Sequence, residues 1–312
     1  MLSRRILRVK VVKAVYAHLQ TECDNIPTTE KNLIASIDKA YDLYFHMLSL
    51  LPELVRYAEA RQEIARNKML ATYEDLNPNR KFVENQAIER IDCCEAIAAY
   101  CKKKGLKWTE NQDLIKNIYL SLQEQPFYKK YMENPSRSFR EDTELAANIF
   151  LNILEQNELL ESVLEDQSIL WTDDLGYILT MAARTMTSMR ESHVQVKLLP
   201  KFKSDEDLDF AKKLLRESII HFEDNRKMID EHTNNWDVER LALMDIVILA
   251  VAISEAKNFA SIPVKVTMNE YIDVAKYYST PASSTFINGV LDKIVTRGLE
   301  EGWIFKTGKG LL

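Results

Sequence analysis

Glycine is nearly missing from this chain. It has 7 glycines and 8 prolines among 312 residues, about 5% where average usage gives roughly 12%. Five of the glycines (Gly289, Gly298, Gly302, Gly308 and Gly310) lie within the last 24 positions, so only Gly105 and Gly176 serve the first 288. Dinucleotide and phosphate loops need clustered glycines to bring backbone N–H groups onto phosphate, and β-rich folds need them in tight turns. Both classes are excluded for most of the chain. Long apolar runs are missing too: the longest, Ile246 to Ile253, has eight residues, against the roughly 20 of a membrane span. The N-terminus has arginines but no apolar stretch ending in small residues, so no secretory leader is expected. Cysteine is sparse. Cys23, Cys93, Cys94 and Cys101 read as inert thiols of a reducing compartment, and no histidine stands near Cys94 and Cys101 to complete a zinc site. The expectation is a cytoplasmic all-α protein that uses no membrane, metal or other cofactor.

Charge is informative by position. The net charge is −6, yet Arg4, Arg5, Arg8, Lys10 and Lys13 precede the first acid, Glu22. An acidic body with one basic end offers an anion a single place to bind; a solvated basic terminus is the plain alternative. At about 100° per residue, Leu7, Val11, Val12, Val15 and Leu19 share one face, which predicts an amphipathic helix over 6–21. Arg5, Lys13, Tyr16 and Gln20 fall together on a neighbouring flank. Cations beside an aromatic ring can hold single-stranded RNA, with phosphates on the cations and a base on the ring.

Proline and polar breaks divide the rest into helices. The pattern predicts one from Pro27 to Leu51, another opening at Pro52 and reaching Tyr73, and a third over 81–104 that ends at Lys104-Gly105. Segments near 109–124, before Asn134-Pro135, over 141–167 and over 172–192 follow. The aromatic and basic stretch from Phe127 to Arg140 reads as a loop with its rings packed inward, or as a second RNA surface. From Asp205 a long helix runs to His232, and Asn234-Asn235 cap the next, which passes through Arg240-Leu241 to Asp245 and into the apolar run. Thr267 to Glu270 has the letters of a capping box. Gly289 within the last helix predicts close helix–helix approach, Gly298 and Gly302 end that helix, and Gly308 and Gly310 loosen a basic tail.

The C-terminal third carries an ordered set: Trp236, Arg240-Leu241, Asp245, Ile248-Leu249, Ala252 and Glu255, then Pro263, Val266, Asn269-Glu270, Ala275-Lys276, Ser283, and Phe286 through Lys293. This set, with Arg4, Arg5 and Arg8 before Ala14-Val15-Tyr16, resembles the NusB family of transcription antitermination factors. The resemblance covers residues 2–22 and 205–297. It implies an all-α fold of two small helical bundles, with an additional helical insertion between them. The domains are expected at 1–75, 76–200 for the insertion, and 201–312.

The resemblance also implies a function. Family members bind boxA RNA of ribosomal RNA transcripts together with NusE, a ribosomal protein. They join RNA polymerase with NusA and NusG and suppress premature termination. On this basis Arg4, Arg5, Arg8 and Lys13 would contact phosphates, Tyr16 a base or sugar, and Lys265 and Phe286 would extend the RNA surface. Asp245 would face NusE, or else be a buried partner of a basic residue. Ala250 stands where the family usually has arginine, Thr280-Pro281-Ala282 stands where small polar or acidic residues are common, and the chain is more than twice the usual length. Self-association as a homodimer is left open. No His-Glu-x-x-His, Gly-x-Ser-x-Gly or paired Cys-x-x-Cys motif is present, so no enzyme is expected. The competing function is a helical interaction scaffold whose RNA site is lost or covered.

Overall fold

The computed structural model describes residues 2–21, 25–193, 195–233 and 242–311. In chain order the α-helices are α1 Arg4–Gln20, α2 Ile26–Arg66, α3 Tyr73–Leu76, α4 Gln86–Asp92, α5 Glu95–Lys104, α6 Gln112–Glu124, α7 Pro126–Glu133 and α8 Phe139–Asn148. They continue as α9 Glu158–Gln167, α10 Leu175–Ser188, α11 Glu206–Ile220, α12 Phe222–His232, α13 Leu243–Asn258, α14 Val264–Tyr278 and α15 Ser283–Glu300. The protein is all-α, and among the described residues the only extended pairing is a single bridge between Leu2 and Phe202. The predicted capping motif at Asn234-Asn235, and Cys23, Trp236 and Arg240-Leu241, lie outside the described residues. Two compact units are present, Met1–Ile37 with Lys201–Leu312, and Asp38–Pro200.

In the first unit α13 is the centre. Every residue from Asp245 to Ala256 is buried, which is what an all-round apolar helix requires. α1 turns Leu7, Val11, Val12 and Val15 inward and packs on α11 and α13, while α12, α14 and α15 also pack on α13. A bond from Leu2 N–H to the Lys201 carbonyl (2.8 Å) ties down the chain before α1.

The second unit shows where single-sequence phasing gives way to packing. α2 is one helix of 41 residues with Pro52 inside it, not two helices meeting at Pro52. The proline removes a helical bond, at a cost of about 3 kcal/mol. Burial of Leu48, Leu50, Leu51 and Leu54, each contributing about 1.5–3 kcal/mol, offsets that cost. The predicted 81–104 helix is instead α4 and α5, split at Cys93-Cys94, with Asn85 capping α4 by accepting from the Ile88 N–H. The predicted 141–167 helix is interrupted by a π-helical turn, Ile149–Leu154, whose Ile149, Phe150, Ile153 and Leu154 are all buried. The wider turn keeps both apolar pairs inward, and Asn157 then starts α9. Tyr128, Tyr131 and Phe139 are buried, so the aromatic stretch does pack its rings inward, although it is largely helical rather than a loop.

In the first unit the long 205–232 helix breaks at His221 into α11 and α12, a turn that buries Phe222 while Ile220 stays exposed. The glycine expectations also need correcting. A Cβ on Gly289 would meet nothing within 4 Å, so that residue makes no close approach. Gly298, inside α15, is the tight one: its Cβ would stand 2.6 Å from the Trp303 ring and 2.7 Å from Ile304. Gly302, with φ +79°, follows the helix end in the left-handed conformation that favours glycine.

The tail is docked, not loose. Lys306 is buried, with Nζ donating to the carbonyls of Ala256 (2.9 Å) and Phe259 (3.1 Å) at the C-terminus of α13. Burial lowers its pKa, while the negative end of the helix favours the cation. A Cβ on Gly310 would lie 2.0 Å from the Ala260 carbonyl oxygen. Gly310→Ala is therefore expected to release the tail, making Lys306 a site of fast limited trypsin cleavage. Equal cleavage of both proteins would show that the contact does not hold the tail.

Candidate nucleic-acid interface

The basic first helix is built into the first unit by its own charges. Arg8 is buried, and its guanidinium grips the Glu255 carboxylate with two bonds, Nε to Oε2 at 2.7 Å and Nη2 to Oε1 at 2.8 Å. Glu255 is fully buried in α13. Two residues of α14 complete its shell: Thr267 Oγ1 donates to Oε1 at 2.8 Å and Tyr271 OH to Oε2 at 3.0 Å. Glu270 adds a second carboxylate 3.8 Å from Arg8. Burial works against the Arg8 charge, but the hydrogen bonds and charge of Glu255 outweigh it and hold the guanidinium protonated. Burial, and then the Glu255 charge, push the Tyr271 phenol well up, so it remains a donor.

Arg8 therefore cannot serve in this arrangement as the phosphate contact expected of it. Its Nε and Nη2 are spent on Glu255, its Nη1 faces Glu270, and it is shielded from solvent. Thr267 and Glu270 likewise do not form a capping box. α14 already begins at Val264, and Thr267 points its hydroxyl at Glu255.

Lys10 is buried as well, whereas Arg4, Arg5 and Lys13 reach the surface. Arg4 is partly exposed, donates from Nε to Asp207 at 3.1 Å, and stands 3.7 Å from Glu206. Its guanidinium carbon and that of Arg8 lie 5.0 and 5.4 Å from the Phe210 ring centroid. Arg5 is exposed and donates to Asp273 at 3.0 Å, and Lys276 donates to the other oxygen of the same carboxylate at 2.9 Å. Those two cations, Lys276 first, hold Asp273 below the usual carboxylate range. Lys13 stands 4.7 Å from the Tyr278 ring centroid. Tyr16 is half-buried and accepts from Gln20 at 3.4 Å. Arg5 and Lys13 thus both run along α14, which brings Lys276, Tyr277 and Tyr278 beside them. Tyr277 is 78% exposed. The signal for these residues was the Ala275-Lys276 pair, whose neighbouring tyrosines carried no role in the sequence pattern.

The remaining predicted residues separate. Lys265 is exposed in the first turn of α14 and Phe286 is half-buried in the first turn of α15. Val264 packs with Ala256, Val295 and Ile304, so α14 and α15 are antiparallel. Their first turns then lie at opposite ends of the pair, about 20 Å apart at 1.5 Å per residue. Phe286 falls at the Tyr278 end and Lys265 at the other. Asp245 is buried and accepts from Ser279 (2.5 Å) and Ser283 (2.8 Å). It pins the connection between α14 and α15 to the start of α13 and is itself buried; among the described residues its hydrogen-bond partners are these two serines.

What this surface can do chemically is bind. It places three exposed or half-exposed cations (Arg5, Lys13 and Lys276) on the same two helices as Tyr16 and Tyr277, a combination suited to phosphates and stacked bases. Among the described residues, no group of three or more histidines, cysteines or carboxylates is arranged to hold a metal. No described helix is long and apolar enough to cross a membrane.

Comparison with known proteins agrees with this part of the chain. A profile described as the NusB family matches residues 178–296. A protein of Salinibacter ruber named transcription antitermination protein NusB is 41% identical over 104 residues, 33% of this chain and 65% of that protein. Its namesake in Chloroherpeton thalassium is 36% identical over 104 residues, 33% of this chain and 49% of that protein. Its namesake in Thermoanaerobacter sp. is 36% identical over 111 residues, 34% of this chain and 79% of that protein. The chain thus spans roughly half to two thirds of the first two relatives, and the match takes up a third of its own length. With most of the third relative covered at that identity, and an all-α fold centred on the matched helices, the chain belongs to the NusB family.

Proposed function

We propose that this protein is a transcription antitermination factor that binds boxA-type RNA of ribosomal RNA transcripts together with NusE. It would thereby help RNA polymerase, in company with NusA and NusG, to pass sites of premature termination. The observation that carries the reading is the placement of α1: its buried Arg8 locks it to α13 and α14, so that Arg5 and Lys13 run beside Lys276 and the tyrosines. In this reading Arg5, Lys13 and Lys276 meet phosphates, and Tyr16 meets a base. Lys265 and Phe286 are separate outlying contacts, Arg4 is a weaker contact shared with Asp207, and Arg8 is a positioning residue. Residues 76–200 are an insertion on the family fold. NusE would dock on exposed residues of the α13–α15 region rather than on the Asp245 side chain. The function is binding, with no bond made or broken.

The test is RNA binding across a salt series, with a boxA RNA and a scrambled control, with and without NusE. Each phosphate contact to a single strand contributes about −0.7 to the log–log salt slope. Arg5→Ala with Lys276→Ala is expected to flatten the slope by about 1.4. Tyr16→Ala is expected to weaken binding by about 1–3 kcal/mol if a base stacks on the ring. An unchanged slope removes the α1–α14 surface from the reading, and equal affinity for the scrambled RNA removes boxA.

A further inference from the structure

The end of α2 and the short α3 form a tip that the rest of the second unit leaves bare. Ile64 is 69% exposed, Met69 fully, Leu70 91%, Tyr73 81% and Leu76 54%. Single exposed apolar residues are ordinary, but five within thirteen positions concentrate bare apolar surface on one short segment, as interaction surfaces do.

The tip is held in shape. Thr72 and Asp75 cap α3 reciprocally, and Lys68 donates to Asp75 at 2.9 Å. Asn67 donates to the Glu63 carbonyl at 3.0 Å, and Gln62 to the Asn79 carbonyl at 3.1 Å. The backbone that carries the apolar side chains is thus already ordered, so docking would lose little further entropy.

Charge and area select the occupant. From Arg61 to Leu76 three cations (Arg61, Arg66 and Lys68) balance three anions (Glu63, Glu74 and Asp75). Arg66 and Lys68 are further paired with Glu63 and Asp75. A neutral patch of this kind has no excess cation for RNA or an anionic lipid surface. The whole chain carries −6, and this neutral tip adds no like-charge repulsion when two copies meet through it. The five residues expose on the order of 800 Å², about what one partner contributes to a standard interface. We infer that this tip pairs with the same tip of a second copy about a two-fold axis, Met69 and Leu70 forming the centre of a symmetric interface. The inference is independent of the RNA-binding reading, which concerns other residues.

Sedimentation equilibrium of the full chain tests it, with hydrogen exchange followed against protein concentration. The expected result is a reversible monomer–dimer equilibrium with protection of residues 62–77 that grows as dimer forms. Leu70→Glu and Met69→Glu alter side chains that are bare in the monomer, so helix content and melting temperature should not change. Each variant puts two charges into one symmetric interface and is expected to raise the dimer dissociation constant at least ~100-fold. A protein that stays monomeric up to about 200 µM overturns the inference and leaves the tip to a different protein. A dimer indifferent to both substitutions overturns it as well.

Discussion

Replacing Arg8 by alanine is expected to destabilise the unit that carries α1 by about 3–5 kcal/mol, the usual cost of removing one partner from a buried ion pair. The cause is what remains. Glu255, fully buried, would keep its hydroxyl bonds from Thr267 and Tyr271 but lose both charge-assisted bonds. Stabilities of single domains are typically 5–15 kcal/mol, so the loss is a large share of the whole. Arg8→Lys is expected to recover only part, because an ammonium cannot make the two-pronged bond. A paired change to Arg8→Met with Glu255→Leu removes the charge imbalance and should lie closer to the wild type than either single change. Thermal unfolding, together with hydrogen exchange of α1 and α14, gives the measurement. A melting temperature within about 1 °C of wild type for Arg8→Ala would mean that the pair contributes little.

This prediction also separates two meanings of one arginine. A stability loss appears in the free protein, whereas a lost phosphate contact appears only with RNA present and in the salt slope. From the sequence, Arg4, Arg5 and Arg8 were equivalent: three cations spaced along one basic end. Nothing within reach of α1 in the chain shows that the acceptor for Arg8 lies 247 residues away on the most buried face of α13. Helix phase was legible because it is local. The stripe of Leu7, Val11, Val12 and Val15 and the all-round apolar α13 both sit as their periodicity requires. The π-helical turn at Ile149–Leu154, the continuation of α2 through Pro52 and the break at His221 were not legible, since each is decided by which side chains the surrounding helices can bury. The glycines give the same lesson in small: Gly289 has its place by pattern, yet the close contact is at Gly298, where Trp303 and Ile304 fold back.

The second large effect concerns pH and lies in the other unit. His46 of α2 is buried, its ring stacked on Trp108 at 3.8 Å with the planes 2° apart. Its Nε2 bonds Gln167 Oε1 at 3.1 Å, which makes Nε2 the protonated nitrogen, and Nδ1 has no hydrogen-bond partner. A second proton on Nδ1 would create a buried charge and an unsatisfied N–H together. Burial accordingly lowers the pKa from 6.5 to about 4, with Gln167 opposing the shift. Above pH 6.5 the ring is neutral both folded and unfolded, and its contribution to stability is constant. As the pH falls from 6.5 towards 4, the unfolded chain takes up the proton and the folded one does not. Stability then declines by about 1.4 kcal/mol per pH unit, about 3 kcal/mol in all, and levels off below pH 4. His46→Phe keeps a ring against Trp108 and cannot titrate. Urea unfolding followed by tryptophan fluorescence from pH 7 to 4 should show the two proteins' stabilities converging, or the variant overtaking, by about 3 kcal/mol over this range. Carboxylates titrating over the same range act on both proteins and cancel in the difference. Parallel curves would mean that the site accepts the proton, through movement of Gln167 or entry of water beside Nδ1.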